Sequence, residues 1–204
     1  MNVKISLGLP RELRAEAAAI YWQAFGGKLG RVLGPDARAI TFLQRALRSD
    51  YCMIARSETG RLLGIVGFQT VNGAFAGGTP DDLRAIYGRV GAIWRMAVLR
   101  LLSHDDGTQR FLIDGICVVD DAQGTGIGTA LLAAICDEAR SRGYPAIRLD
   151  VVDTNLRARA LYERLGFFPL DTTHIGILQH IFGFTAATTM VKPLGDARVG
   201  TFPA

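Results

Sequence analysis

The stretch Ile116-Cys117-Val118-Val119-Asp120-Asp121-Ala122-Gln123-Gly124-Thr125-Gly126-Ile127-Gly128-Thr129 passes from an apolar run through a glycine-rich turn into a helical pattern. Upstream, Phe111–Val119 reads as a buried strand; downstream, Ile127, Leu131, Leu132, Ile135, Cys136 and Ala139 recur at helical spacing, with Gly143 placed to end the helix. A strand, a glycine turn and a helix start together make an anion site, because unpaired backbone N–H groups and the positive end of the helix converge there. Two common versions are excluded. A dinucleotide turn needs glycine where Thr129 stands, and a phosphate-binding loop of the Gly-Lys-Ser/Thr type needs a lysine that Gly128-Thr129-Ala130 does not offer.

Working outward, Ala146–Val152 is a second buried strand, Asn155 caps a helix running to Leu165, and Gly166 ends it. Residues 111–165 therefore read strand, turn, helix, strand, helix, and two parallel strands with a right-handed crossover are the economical topology. Toward the N-terminus, Val3, Ile5 and Leu7 alternate as a strand, and Leu13, Ala17, Ile20, Tyr21 and Phe25 form a helix. Gly26-Gly27 and Gly34-Pro35 bracket a turn carrying Lys28 and Arg31, expected over a binding cleft, before a second helix through Ile40, Leu43 and Leu47. Tyr51–Arg56 and Leu62–Val71 make a hairpin. An insertion at 73–110 carries one apolar stripe, Leu83, Ile86, Tyr87, Val90, Trp94, Val98 and Leu101, either core or the face of a homodimer, with Gly88 and Gly91 weakening its continuity. Near the C-terminus Ile175–Ile181 and Ala186–Val191 are expected strands, and residues 196–204 a loose tail after a single domain at 1–195.

At 204 residues, 49% hydrophobic and 21% charged, the chain has the composition of one globular domain. A net charge of +4 without any Lys/Arg block suits anionic ligands of coenzyme size and gives no support to nucleic acid. No apolar run reaches the ~18 residues of a membrane span and the first residues are too polar for a secretory signal, so a cytoplasmic location is expected. Cys52, Cys117 and Cys136 lack metal or disulfide spacing and read as reduced core thiols. His104, His174 and His180 are too scattered for a metal triad, and no metal is expected.

Taken with Leu149-Asp150-Val151, Asn155 and Ala160-Leu161-Tyr162-Glu163-Arg164-Leu165-Gly166-Phe167, the glycine turn resembles the GNAT acyltransferase superfamily, strongly over residues 111–168. The resemblance implies an α/β (α+β) fold: a mixed, strongly twisted sheet flanked by helices, here with a helix inserted between the third and fourth strands. It implies acetyl-CoA as co-substrate and N-acetyl transfer to a primary amine of a small molecule or peptide. The backbone of Ile116, Cys117 and Val118 would pair with the pantetheine arm as an added strand, and Gln123, Gly124, Thr125, Gly126, Ile127, Gly128 and Thr129 would cradle the pyrophosphate. Asn155 would contact the cofactor or serve only as an N-cap, and Arg157 would meet the ribose phosphate. Tyr162 would protonate the leaving thiolate. Asp150 or Asp114 would be the general base, unless water carries the proton. The chain departs from the family at Asp120, where many members carry proline. Two rivals stand beside this reading, a catalytically silent coenzyme A-binding module and, more distantly, a nicotinamide enzyme.

Overall fold

Leu62, Leu63, Ile65, Val66 and Phe68 are each no more than 3% exposed, so one strand is buried on both faces and must lie inside the sheet. The computed structural model describes residues 2–102, 111–176 and 179–195. In chain order the elements are β1 (Lys4–Leu7), α1 (Arg14–Leu33), α2 (Asp36–Ala46), β2 (Cys52–Arg56), β3 (Leu62–Thr70) and the short β4 (Gly73–Ala74). Then come α3 (Pro80–Leu102), β5 (Phe111–Val118), α4 (Ile127–Ser141), β6 (Ala146–Val152), α5 (Leu156–Arg164), β7 (Phe168–His174), α6 (Gln179–Phe182) and β8 (Ala186–Pro193). The sheet order is β1-β2-β3-β5-β6-β8-β7, with β4 beside β3. This is the mixed, helix-flanked architecture that the sequence leads one to expect, with α3 between the third and fourth long strands.

Two apolar layers sandwich the sheet. One packs α1, α2 and α3 against residues such as Ile54, Ile65 and Cys117; the other packs α4 against Val66, Phe111, Ile147 and Leu149. All six positions of the α4 stripe are buried, and each large one, such as Leu131, contributes ~1.5–3 kcal/mol by leaving water. Among the described residues β5 and β6 are the parallel pair, and their pairing stops at Ile113–Leu149. Beyond that point β5 follows β3 alone. A bulge accompanies the divergence: Ile113 pairs with Phe68 and Gly115 with Gly67, leaving Asp114 without a partner residue.

Three expectations are corrected. Residues 26–33 are the last two turns of α1 rather than a turn over a cleft. The glycines cost helix propensity of ~1 kcal/mol each, which burial of Val32 and Leu33 and the seat of Gly26 on the Trp22 ring offset. The expected strand at Ile175–Ile181 is replaced by β7, seven residues earlier, and by the short α6, because β7 pairs with β8 from Phe168–Val191 to His174–Ala186. The apolar stripe of α3 also loses phase: Gly88, at φ 71° and ψ 177°, breaks the helical path. Beyond it Ala92, Met96 and Leu99 turn inward while Val90 and Trp94 are 82% and 41% exposed. The expected tail at 196–204 and His104 lie outside the described residues.

Candidate active site

The glycine turn is built by backbone conformations that side chains resist. Gly124 and Gly126 sit at φ 78° and 92°, in the left-handed region, and the second is the N-cap of α4. Thr125 Oγ1 donates to Ala122 O at 2.6 Å and pins the turn to the short 3-10 segment before it. As a result none of the six backbone N–H groups from Gly124 to Thr129 finds an acceptor among the described residues. They wrap the positive end of a fifteen-residue helix, a ready anion cradle.

The parting of β5 from β6 opens the second wall. Val119 N–H bonds Leu63 O at 3.0 Å. The two-residue alternation of a strand then aims the backbone of Cys117 at β3 and that of Ile116 and Val118 at the open edge. Gln123 Nε2, reaching Val118 O at 3.2 Å from that side, agrees. The free edge expected at Ile116, Cys117 and Val118 is thus narrowed to Ile116 and Val118.

The third wall is α5. Asn155 Oδ1 accepts from Ala158 N at 3.2 Å, so the N-cap is made, and the residue also borders the cleft. Arg157 reaches Gln123 Oε1 at 3.5 Å, bringing a cation beside Gly124. Tyr162 is 7% exposed, its ring stands 5.9 Å from that of Phe167, and its hydroxyl makes no hydrogen bond among the described residues. Burial, with a smaller push from nearby Cys117, raises its pKa to about 12.

These walls enclose a cleft of about 500 Å³. It brings together Ile116, Cys117, Val118, Gln123, Gly124, Gly126, Gly128, Thr129, Asn155, Arg157 and Tyr162. Thr125 and Ile127 do not line it: the Thr125 hydroxyl is turned to Ala122 O and the Ile127 side chain is core, although their N–H groups belong to the unpaired run. Asp150 is not brought to the cleft: it accepts Thr189 Oγ1 at 2.7 Å and lies 3.7 Å from Arg148, on exposed sheet surface. Asp114 sits at the bulge, its Oδ2 accepting Ala76 N–H at 2.9 Å, and burial raises its pKa against that bond.

Sequence reasoning missed Ile20, Gln23 and Ala24, which line the cleft from α1; Arg164, which it set aside in favour of Arg157, lines the cleft from α5. The first three share one helical face at spacings of three and four, but their neighbours Tyr21 and Phe25 carry the stronger apolar signal. Asp120, the family departure, joins the site by accepting Gln23 Nε2 at 2.6 Å and Gln123 Nε2 at 2.9 Å. Of the arginines on α5, Arg159 is instead engaged by Glu163 at 3.0 Å. Among the described residues no group of three His, Cys, Asp or Glu is placed to hold a metal, and no helix is long and apolar enough to cross a membrane.

Solved acetyltransferase structures share this helix-flanked mixed sheet. A histone acetyltransferase HPA2 and related acetyltransferase from Corynebacterium glutamicum aligns over 98% of this chain and 100% of its own, with a TM-score of 0.67 at 22% identity. The ribosomal-protein-S18-alanine N-acetyltransferase from Escherichia coli aligns over 99% and 100%, with a TM-score of 0.58 at 19% identity. The model of the Acetyltransferase (GNAT) family matches residues 15–167, and the chain belongs to that family. Among curated relatives, a mycothiol acetyltransferase of Beutenbergia cavernae is 38% identical over 106 residues, 45% of this chain and 35% of its own. The ribosomal protein bS18-alanine N-acetyltransferase of Escherichia coli K12 is 46% identical over 52 residues, 26% of this chain and 35% of its own. The matched part of this chain thus spans about a third of the length of these relatives.

Proposed function

We propose that the protein transfers an acetyl group from acetyl-CoA to a primary amine by direct attack. The run of six unpaired N–H groups at Gly124–Thr129, opening onto a cleft with the free edge of β5, carries this reading. The residues fit the coenzyme: backbone donors and a helix end for the pyrophosphate, Arg157 and Arg164 for the ribose phosphate, and the Ile116 and Val118 edge for an extended amide-bearing arm. Acetyl-CoA supplies a thioester whose acyl carbon accepts a nucleophile. Family membership supports the choice, and the relatives named as a mycothiol acetyltransferase and a ribosomal-protein alanine N-acetyltransferase leave both small-molecule and peptide amines open.

In the transfer the neutral amine attacks the acyl carbon, the C–S bond breaks, the nitrogen gives up a proton and the sulfur takes one. A backbone N–H near Val118 stabilises the oxyanion. Tyr162 donates to the sulfur. With a pKa of about 12 it stays protonated at every working pH, yet full transfer to a thiolate of ordinary pKa ~8.5 is uphill by about 5 kcal/mol. Its contribution is therefore a hydrogen bond that strengthens as charge builds on sulfur, with the net proton arriving from the amine side.

Titration calorimetry with acetyl-CoA, followed by thiol release on adding amines, tests this. Binding with amine-dependent thiol release is expected. A folded protein that ignores acetyl-CoA sinks the proposal, and binding without transfer across a broad amine panel leaves the silent coenzyme A-binding module.

A further inference from the structure

A second cavity, about 440 Å³, lies across α1 from the cofactor cleft, bounded by α2 and the inserted helix α3 and reaching β3 and the bulge of β5. Leu33, Phe42, Leu83, Met96 and Leu99 make its walls apolar. Three polar side chains also line it, Tyr21, Gln69 and Asp114. Among the described residues the Tyr21 hydroxyl and the Gln69 amide make no hydrogen bond, and Asp114 engages only Oδ2, leaving Oδ1 unbonded. None of these atoms is sealed from solvent, so each is free to meet a ligand, and a few convergent polar groups in an otherwise apolar, ligand-sized space are the usual make-up of a small-molecule site.

We propose, resting on the acetyl-transfer reading above, that this cavity is the acceptor site and takes a single primary amine carried on an apolar body, its ammonium held by Asp114. Position supports it: a strand rises about 3.3 Å per residue, so Asp114 and Ile116 lie about 7 Å apart along β5, one facing each cavity. Helix α1 divides the two spaces in the same way, with Tyr21 lining one and Ile20 and Ala24 the other. Charge supports it as well, because among the described residues Asp114 is the sole carboxylate on the walls, enough for one ammonium and no more. A polyamine or aminoglycoside would have to bury further cations against leucine and phenylalanine, which is strongly unfavourable. Burial raises the proton affinity of Asp114, which equips it to take the ammonium proton. The freed lone pair then forms the N–C bond as the C–S bond breaks, and the second proton shed by the nitrogen passes to the departing sulfur, leaving the amide, the coenzyme A thiol and a protonated Asp114.

The test is calorimetric titration of the full chain with 2-phenylethylamine, hexylamine, the uncharged 2-phenylethanol and spermidine, each after saturation with coenzyme A. Saturable binding of the two apolar monoamines is expected, at least tenfold tighter than 2-phenylethanol or spermidine. Asp114→Asn should weaken the monoamines at least tenfold, and Met96→Trp, which fills the cavity, should weaken 2-phenylethylamine while acetyl-CoA affinity stays within twofold in both variants. Spermidine binding as tightly as the monoamines, no monoamine binding, or binding that both variants leave unchanged would each overturn the assignment. The acetyl-CoA titration in the same samples judges the cofactor reading separately.

Discussion

Replacing Gly126 by alanine separates the conformational role of the turn from its role as an anion cradle. Gly126 sits at φ 92° and ψ −3° as the N-cap of α4, and a Cβ built there meets nothing within 4 Å. The penalty is therefore one of backbone conformation alone, about 1–2 kcal/mol for an L-residue held in the left-handed region. For a chain of this size each kcal/mol moves Tm by roughly 2–4 °C, so a fall of about 2–8 °C is expected. If the backbone instead relaxes toward negative φ, stability is partly recovered but the N–H groups around position 126 turn away from the cleft. Each charge-assisted hydrogen bond lost is worth about 1.5–3 kcal/mol, roughly tenfold or more in affinity. Thermal melts with and without acetyl-CoA, together with calorimetric Kd values, read both effects. A variant that loses no stability, its backbone therefore relaxed, and still binds acetyl-CoA within twofold of the native chain would refute the assignment of the coenzyme's pyrophosphate to this turn.

Further outcomes follow from other residues. Tyr162→Phe should lower kcat about 10²-fold, the low end for general acid–base groups because the hydroxyl donates without full proton transfer, with acetyl-CoA affinity within about threefold by calorimetry. Asn155→Ala removes the bond from Ala158 N and should cost about 1 kcal/mol, roughly 2–4 °C in Tm by differential scanning calorimetry. Asp114→Asn should stabilise the unliganded protein at neutral pH. Burial raises the folded-state pKa above the unfolded value, so the native state binds more protons between the two and stability falls as pH rises through that window. Nearby Tyr21 and Cys117, both pushed upward by burial, stay neutral there. The gain, about 1.4 kcal/mol for each tenfold change in proton affinity, should vanish in melts below the unfolded carboxyl pKa of about 3.9.

The half of the molecule around the glycine turn was legible because its signals are local. The stripe of α4, the paired glycines and the Asn155 cap lie within a few residues of the positions they organise, and each reappears in the structure as expected. What escaped depends on distant partners. The helix through Gly26 and Gly27 is held by tertiary burial that glycine propensity argues against, and the strand at Phe168–His174 exists because β8 pairs with it. The face of α3 changes at Gly88, where a single left-handed residue resets the phase that periodicity assumes. Asp150 and Asp114 looked equivalent in sequence, both acids inside apolar strands. Only the bulge between Gly67 and Phe68, a matter of register with β3, separates the half-buried one from the exposed one.

Amide chemical shifts of ¹⁵N-labelled protein titrated with coenzyme A test the central claim most directly. The backbone signals of Gly124 to Thr129, with those of Ile116 and Val118, should move most and saturate together. Saturating coenzyme A binding that leaves these amides in place while shifting others would contradict it.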